Sequence, residues 1–364
     1  MTGWTYLDTL PSDLILNEGV LALVSEADSG SVPTLQSAAR ERQVDLLGAI
    51  VPGLVIEDEF RRRGTLLVPL QSVPRVMVPV PEADHTPNET IEALADFVLE
   101  HAAEGGGDTL MLLVDATIAD VASILARLYM EVGDQVNYAG VCVGSETFEP
   151  VPCLFDVEAF QGRAILALLL PEHPGATLAH GYRGNDALWV ATATQGSKVE
   201  TIEGRPAFEV YQELLSAEYG IQLDRENFYR HAVHFPFAIN RAQGEALVRI
   251  PVQVCEDGSV HCSGEIAENA LLSVVRAVEP GNPRTAAEVG AAASSDAAGS
   301  LLTFYCAGRY MHLDQGAATK ELEVLRNEVA PLPVVGALCL GEIGSGHQQY
   351  PVFHNATITA LPWT

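Results

Sequence analysis

Lysine is nearly missing from this chain. Of its twenty Lys and Arg residues only Lys198 and Lys320 are lysines, against 48 Asp and Glu, and the formal net charge is −28. Partners rich in phosphate, such as nucleic acid or anionic membrane, need a basic surface that this composition cannot build. Long apolar runs are missing as well. Ala164–Leu170, flanked by Arg163 and Pro171, falls short of the roughly 18–20 residues that cross a bilayer. The opening MTGWTYLDTLPSDL has no basic or apolar leader region, so no signal peptide is read and a cytoplasmic location is expected. Six cysteines without a CxxC pair form neither a disulfide framework nor a zinc site. Cys255 and Cys262 flank an Asp257-Gly258 turn, but a two-residue turn pairs position 255 with 260 and does not favour a bridge.

Excess acid with little lysine suggests salt adaptation. On that hypothesis thermal stability rises with added KCl, because screening weakens the self-repulsion of the folded chain. A melting temperature that stays flat from low to high KCl would refute it.

What is present is apolar and periodic. A chain of 364 residues with 48% hydrophobic content is long enough for two domains with real cores. Strands are expected at 19–26, 45–55, 64–70, 109–114, 136–144 and 163–170. Helices are expected at 33–42, at 86–104 with Ile91, Leu94, Ala95 and Val98 on one stripe, and at 117–132 behind a Thr117…Asp120 start. After residues 180–183 the character changes. Hairpins are read over Gln195-Gly196 and Asp257-Gly258, separated by a helix over 206–219 that begins at Pro206 and stops at Gly220. An Ala-rich helix over 283–298 follows. The chain closes with a strand over 301–309, a helix over 317–329, and strands over 334–342 and 355–361.

One order recurs in three segments, roughly 19–70, 109–170 and 301–361: apolar strand, helix, Gly-containing strand, return strand. YAGVCVGSETFEPVPCLFDVEAFQGRAILAL lies against VVGALCLGEIGSGHQQYPVFHNATITAL. The expected fold is therefore α/β, with repeated strand-helix-strand-strand units in mixed sheets covered by helices, arranged as two halves. In the last copy, reactive or polar groups stand at strand ends: Cys306, Arg309, Glu342 beside Gly341, and Asn355. Arg309 either clamps a ligand carboxylate with its planar fork or bridges to Glu342 or a helix C-terminus. Gly341 lets a ligand approach the backbone closely. Glu342 either takes an amino group or holds Arg309. Asn355 bonds backbone or ligand.

Several stretches taken together resemble the FIST family of sensory proteins: GSKVETIEGRPAFEVYQELL, CEDGSVHCSGEI, CAGR at 306–309, VVGALCLGEIGSG and FHNATITAL. The resemblance covers nearly the whole chain. It implies a FIST N-terminal-like domain over 1–182 and a C-terminal-like domain over 183–364. It further implies an α/β sensory module that binds a small polar metabolite, amino acids being the usual suggestion, with Cys306, Arg309, Gly341, Glu342 and Asn355 matching family motifs. Relatives are often joined to output domains. This chain is expected to be free-standing and to act through a signalling partner protein. Some members are described as haem-binding nitric-oxide sensors. That makes haem a rival ligand, with His180, His231, His234 and His354 as axial candidates. The remaining alternative is a thiol enzyme with Cys306 as nucleophile and His354 or His312 as base. Arg183, in His180-Gly181-Tyr182-Arg183 at the junction of the halves, is read as lining a ligand cleft. No metal site and no resident cofactor other than haem is expected.

Overall fold

Each of the three units begins with a largely apolar strand that is buried from end to end: Val20–Ser25, Asp108–Asp115 and Ser300–Cys306. Such runs suit central strands covered on both faces. The computed structural model describes residues 3–81, 88–103, 105–184, 187–241, 245–277, 282–293, 298–345 and 350–363. Thr86, Glu104, Asp186 and residues 294–297, where parts of expected elements fall, lie outside this set, as do residues 346–349 of the loop after Glu342.

In every unit the first strand leads through a helix to a parallel partner. The partners are Leu46–Val51, Val136–Val143 and Val334–Cys339. A return strand then pairs antiparallel with the first: Thr65–Pro69, Ala164–Leu170 and Ile358–Trp363. A glycine of each second strand faces the first strand at the same register, with Gly48 opposite Ala22, Gly140 opposite Leu112 and Gly336 opposite Thr303.

Between second and return strands each unit carries a short hairpin, and this hairpin joins the sheet of a different unit. Leu54–Ile56 of the first unit pairs with Val335–Ala337 of the third. Leu154–Asp156 of the second pairs with Leu47–Ala49 of the first. Gly341–Gly344 of the third pairs with Ala139–Cys142 of the second. The exchange closes on itself, and the result is three six-stranded sheets. Each sheet thereby covers an edge that would otherwise present unpaired backbone groups. The expected continuous strands over 45–55 and 334–342 are thus each two strands, broken where the chain leaves one sheet for another. The apolar pattern runs straight through both breaks, because the residues are buried on either side.

A fourth sheet, of nine strands, occupies Arg183–Arg276 with the helix Ala207–Tyr219 on it. That helix ends at Gly220 in the left-handed conformation (φ 68°), as its C-terminal glycine predicts. The nine-stranded sheet is an insertion. Thr177–Ala179, just before it, forms the edge of the third unit's sheet by pairing with Ile358–Ala360. The boundary expected at 182/183 therefore falls at the start of the insertion. The exchanged hairpins pair strands across it, joining the first and second units to the third.

Three local expectations change. The second unit's helix begins at Val121, not Thr117. Thr117 is held by Asp115, whose Oδ1 accepts from both its N–H (2.8 Å) and its hydroxyl (2.7 Å). The strand expected over 301–309 ends at Cys306, and the helix Ala307–Val329 follows directly, kinked at Asp314. Small residues, Ala307 and Gly308, allow this abrupt change of direction. Finally, Phe237–Ile239 and Leu271–Arg276 are strands that the sequence reading passed over. All six cysteines are free thiols, and among the described residues no helix is long and apolar enough to cross a membrane.

Candidate functional site

The polar side chains of the third unit do meet in space, around residues 355–357. The Ala356 N–H donates to Cys306 Sγ (3.2 Å), and Arg309 Nη1 donates to the Ala356 carbonyl (3.1 Å). Glu342 Oε2 accepts from the Thr357 N–H (3.2 Å) and hydroxyl (2.7 Å), and Asn355 Oδ1 accepts from Arg249 Nη1 (3.3 Å). Structural equivalence explains why these groups stand out. Cys306 takes the register position of Ser25 and Asp115 in the other units, each three residues beyond the one that faces the glycine. Glu342 pairs across sheets one residue before Ile343, which faces the glycine, where Leu54 and Leu154 stand before Val55 and Phe155. The third copy thus puts a carboxyl where its relatives bury leucine.

Arg309 lies in the first turn of a helix rather than at a strand end, and it is fully buried. Its Nε and Nη2 grip Glu321 bidentately (2.8 and 2.6 Å), and Nη1 also donates to the His180 carbonyl (2.6 Å). The partner foreseen for a structural Arg309 was Glu342; the helix instead supplies Glu321, twelve residues on. Burial opposes the charge on Arg309, but the Glu321 carboxylate holds its pKa above the usual arginine range.

Among the described residues Glu342 has no cation of its own in hydrogen-bond contact. Burial is the largest influence on it and pushes its carboxyl up to about 7, against hydrogen bonds from Thr357 and Cys339 that favour the ionised form. An unfolded glutamate titrates near 4.5. Between those values the folded state holds a proton that the unfolded state has released, so stability falls as pH rises from about 4.5 to about 7. The expected result is that the difference in unfolding free energy between wild type and Glu342→Gln changes across this interval, with wild type losing ground as pH rises. Urea denaturation at several pH values measures it, and a pH-independent difference would count against the assignment. Cys306 is buried too. Burial and then Glu342 raise its thiol above the ordinary cysteine range, outweighing N–H donors from Arg309, Ala356 and Gly308. This environment opposes the thiolate that a nucleophile requires. Neither His354 nor His312 is among its hydrogen-bond partners.

The space available to a ligand lies on the other side of this cluster. A cavity of about 630 Å³ opens where the parallel strands Asp108–Asp115 and Val136–Val143 end. Ligands of α/β sheets bind at such carboxyl ends. Its walls come from three parts of the chain. Asp120 and Phe148 belong to the second unit, Lys198, Val252 and Glu265 to the inserted sheet, and Phe353 to the third unit's hairpin. Gly341 packs on the Phe353 ring, where a Cβ would fall 2.5 Å from ring carbon. The predicted cluster is therefore one layer behind the cavity wall.

Two residues join wall and cluster. Arg249, 1% exposed, lies 5.5 Å from the Phe353 ring centroid. It donates to the carbonyls of Glu265 (3.0 Å) and Phe353 (3.2 Å) as well as to Asn355. Burial pulls its pKa down to about 10. Glu265 reaches across the cavity to the helix Val121–Val132. Its carboxylate accepts from the Ala122 N–H (2.6 Å), the Ser123 N–H (3.2 Å) and the Ser123 hydroxyl (2.5 Å). An acidic side chain at a helix N-terminus is favoured by the orphan N–H groups and the helix dipole. Burial nonetheless raises the Glu265 pKa. Sequence reasoning missed both residues. Glu265 had a signal: Gly264-Glu265-Ile266 repeats Gly341-Glu342-Ile343. Arg249 had none, since an arginine in an ordinary-looking strand announces nothing.

Arg183 lies elsewhere. It is exposed and borders a separate cleft of about 250 Å³ with Glu245, Asn282 and Arg284. The histidines considered for haem do not line the larger cavity; the histidine there is His261. His180 has both ring nitrogens engaged, by the Ala246 carbonyl (2.9 Å) and the Tyr182 N–H (2.9 Å). His234 contacts His312 through Nδ1. His354 is buried, and burial followed by Arg249 depresses its pKa to about 3. His180, His234 and His354 are thus engaged or buried rather than open to a haem iron. Among the described residues no three His, Cys, Asp or Glu side chains gather as metal ligands.

The chain matches two family models, the FIST N domain over residues 20–205 and the FIST C domain over residues 207–345. A search of curated proteins returns no match.

Proposed function

From the chain's membership of the FIST family, whose N and C domains are associated with sensory roles in signal transduction, we propose that it is a sensor whose small ligand occupies the 630 Å³ cavity. The observation that carries this reading is the composition of the cavity wall. Second unit, inserted sheet and third unit each supply part of it, so a bound molecule touches all three and shifts any equilibrium between open and closed arrangements of them. The buried cluster of Cys306, Arg309, Glu342 and Asn355 supports the wall from behind. Arg249 is the link, because it bonds both the Glu265 carbonyl at the wall and Asn355 in the cluster. A cytoplasmic partner protein would read the closed arrangement.

A thermal-shift screen of small metabolites tests the assignment, followed by calorimetry of each hit. Val252, at the rim and 37% exposed, is the position for a blocking variant. Val252→Trp is expected to keep its circular-dichroism spectrum and to bind a hit at least about tenfold more weakly, a loss of roughly 1.4 kcal/mol. Hits whose affinity survives Val252→Trp would place the ligand outside the cavity.

A further inference from the structure

We infer that the cavity selects a small organic cation, a protonated amine carried on an apolar body, over a carboxylate or phosphate ligand. This rests on the cavity being the ligand site. Four features of the lining lead to it.

The first is charge. Asp120 and Glu265 both line the cavity, with the Glu265 carboxylate bound at Ala122 and Ser123, just beyond Asp120, and Lys198 is the lysine on its wall. The Lys198 ammonium is already neutralised by Asp257 at 2.8 Å, with Glu200 at 3.9 Å. The second is the state of the natural anion site. In a sheet of this kind an anion would take the N-terminus of the helix that follows the first strand. Here the Glu265 carboxylate fills that place, 2.6 Å from the Ala122 N–H. An incoming anion would have to expel it.

The third is mutual repulsion. After burial and its own hydrogen bonds, the charge of Asp120 acts on Glu265 and disfavours its ionised form. A cation near both carboxylates relieves that repulsion, whereas an anion adds to it. The fourth is the apolar surface. Phe148, half exposed at the rim, and Phe353, Val252 and Leu340 give the cavity an aromatic and aliphatic wall. Such a wall suits the body of an organic amine, and a free aromatic face attracts its charge. A bare metal ion gains nothing from it. Arg249 does not reverse the balance: it is buried behind Phe353, and its Nε and Nη1 donors are bound to Glu265, Val248, Phe353 and Asn355. Across the whole protein, a net charge of −28 steers cations toward the cleft and anions away.

The test uses phenylalkyl probes of similar size on the full chain at fixed ionic strength: phenethylamine, 3-phenylpropanol and 3-phenylpropionate, with MgCl₂ as the inorganic control. The expected result is that phenethylamine raises the melting temperature and binds at least about tenfold more tightly than 3-phenylpropionate. Asp120→Asn removes the charge while keeping a residue that tolerates the left-handed backbone there (φ 62°). It should lower amine affinity about tenfold and leave 3-phenylpropanol affinity unchanged. If 3-phenylpropionate binds as well as the amine, or MgCl₂ alone reproduces the stabilisation, the cation inference is overturned while the cavity remains the ligand site. If no probe of any charge binds, the reading of the cavity itself fails.

Discussion

Gly336→Ala is expected to destabilise the protein by about 3–5 kcal/mol, the range of severe core overpacking. An added Cβ would stand 1.8 Å from the Thr303 carbonyl oxygen, a backbone atom with no rotamer to change. The same clash recurs at the matching register of the other units, 2.2 Å from Leu112 O at Gly140 and 2.4 Å from Ala22 O at Gly48. Each glycine lies between its own first strand and the incoming hairpin, opposite Val55, Phe155 or Ile343. Pushing the strands apart there would also dislodge the exchanged hairpin. Gly30→Ala is the control, since no atom lies within 4 Å of its added Cβ; it should change stability by no more than about 0.5 kcal/mol. Urea denaturation of both variants measures the contrast. Equal effects at Gly336 and Gly30 would show that close approach of the strands is not what holds the units together.

Arg309→Ala is expected to cost a similar amount, about 3–5 kcal/mol, through a different cause. The substitution leaves the Glu321 carboxylate buried, with only the Tyr305 hydroxyl still donating to it from a side chain. Removing one member of a buried pair strands the charge of the other. Glu321→Ala should therefore be comparably damaging, and the double variant much less damaging than the sum of the two, because no lone charge remains. The cycle separates two roles for Arg309. A structural lock gives large, strongly non-additive losses of stability. A ligand clamp would instead leave stability near wild type and abolish ligand binding.

Much of the fold was legible in the chain because burial writes a local record. The apolar strands Val20–Ser25, Asp108–Asp115, Val136–Val143 and Ala164–Leu170 and the amphipathic helix Asn88–His101 follow from patterns spanning a few residues. The threefold recurrence was visible for the same reason: each unit must build the same strand–helix–strand packing. The polar group of the third unit was also found, since Glu342 and Cys306 break an otherwise apolar pattern.

What stayed hidden depends on contacts between distant segments. Nothing in Leu54–Ile56 or Gly341–Gly344 marks them as crossing to another sheet, because a residue buried in a neighbour's sheet looks the same as one buried in its own. The left-handed residues ahead of the three return strands, Gly64, Arg163 and Ala356, share a conformation but no residue type. Each places an N–H on an acceptor at or near the end of a first strand: Asp28, Asp115 and Cys306 respectively.

The same division applies to the candidate site. The sequence alone determined that Cys306, Arg309, Glu342 and Asn355 depart from the repeat, and residue type is enough for that. Only the tertiary structure decided that Arg309 spends its guanidinium on Glu321, and that the cavity is lined by Phe353, Asp120 and Glu265. A cavity is the volume left over when separate elements pack. Its walls here run from residue 116 to residue 353, and no local pattern records a distance between them.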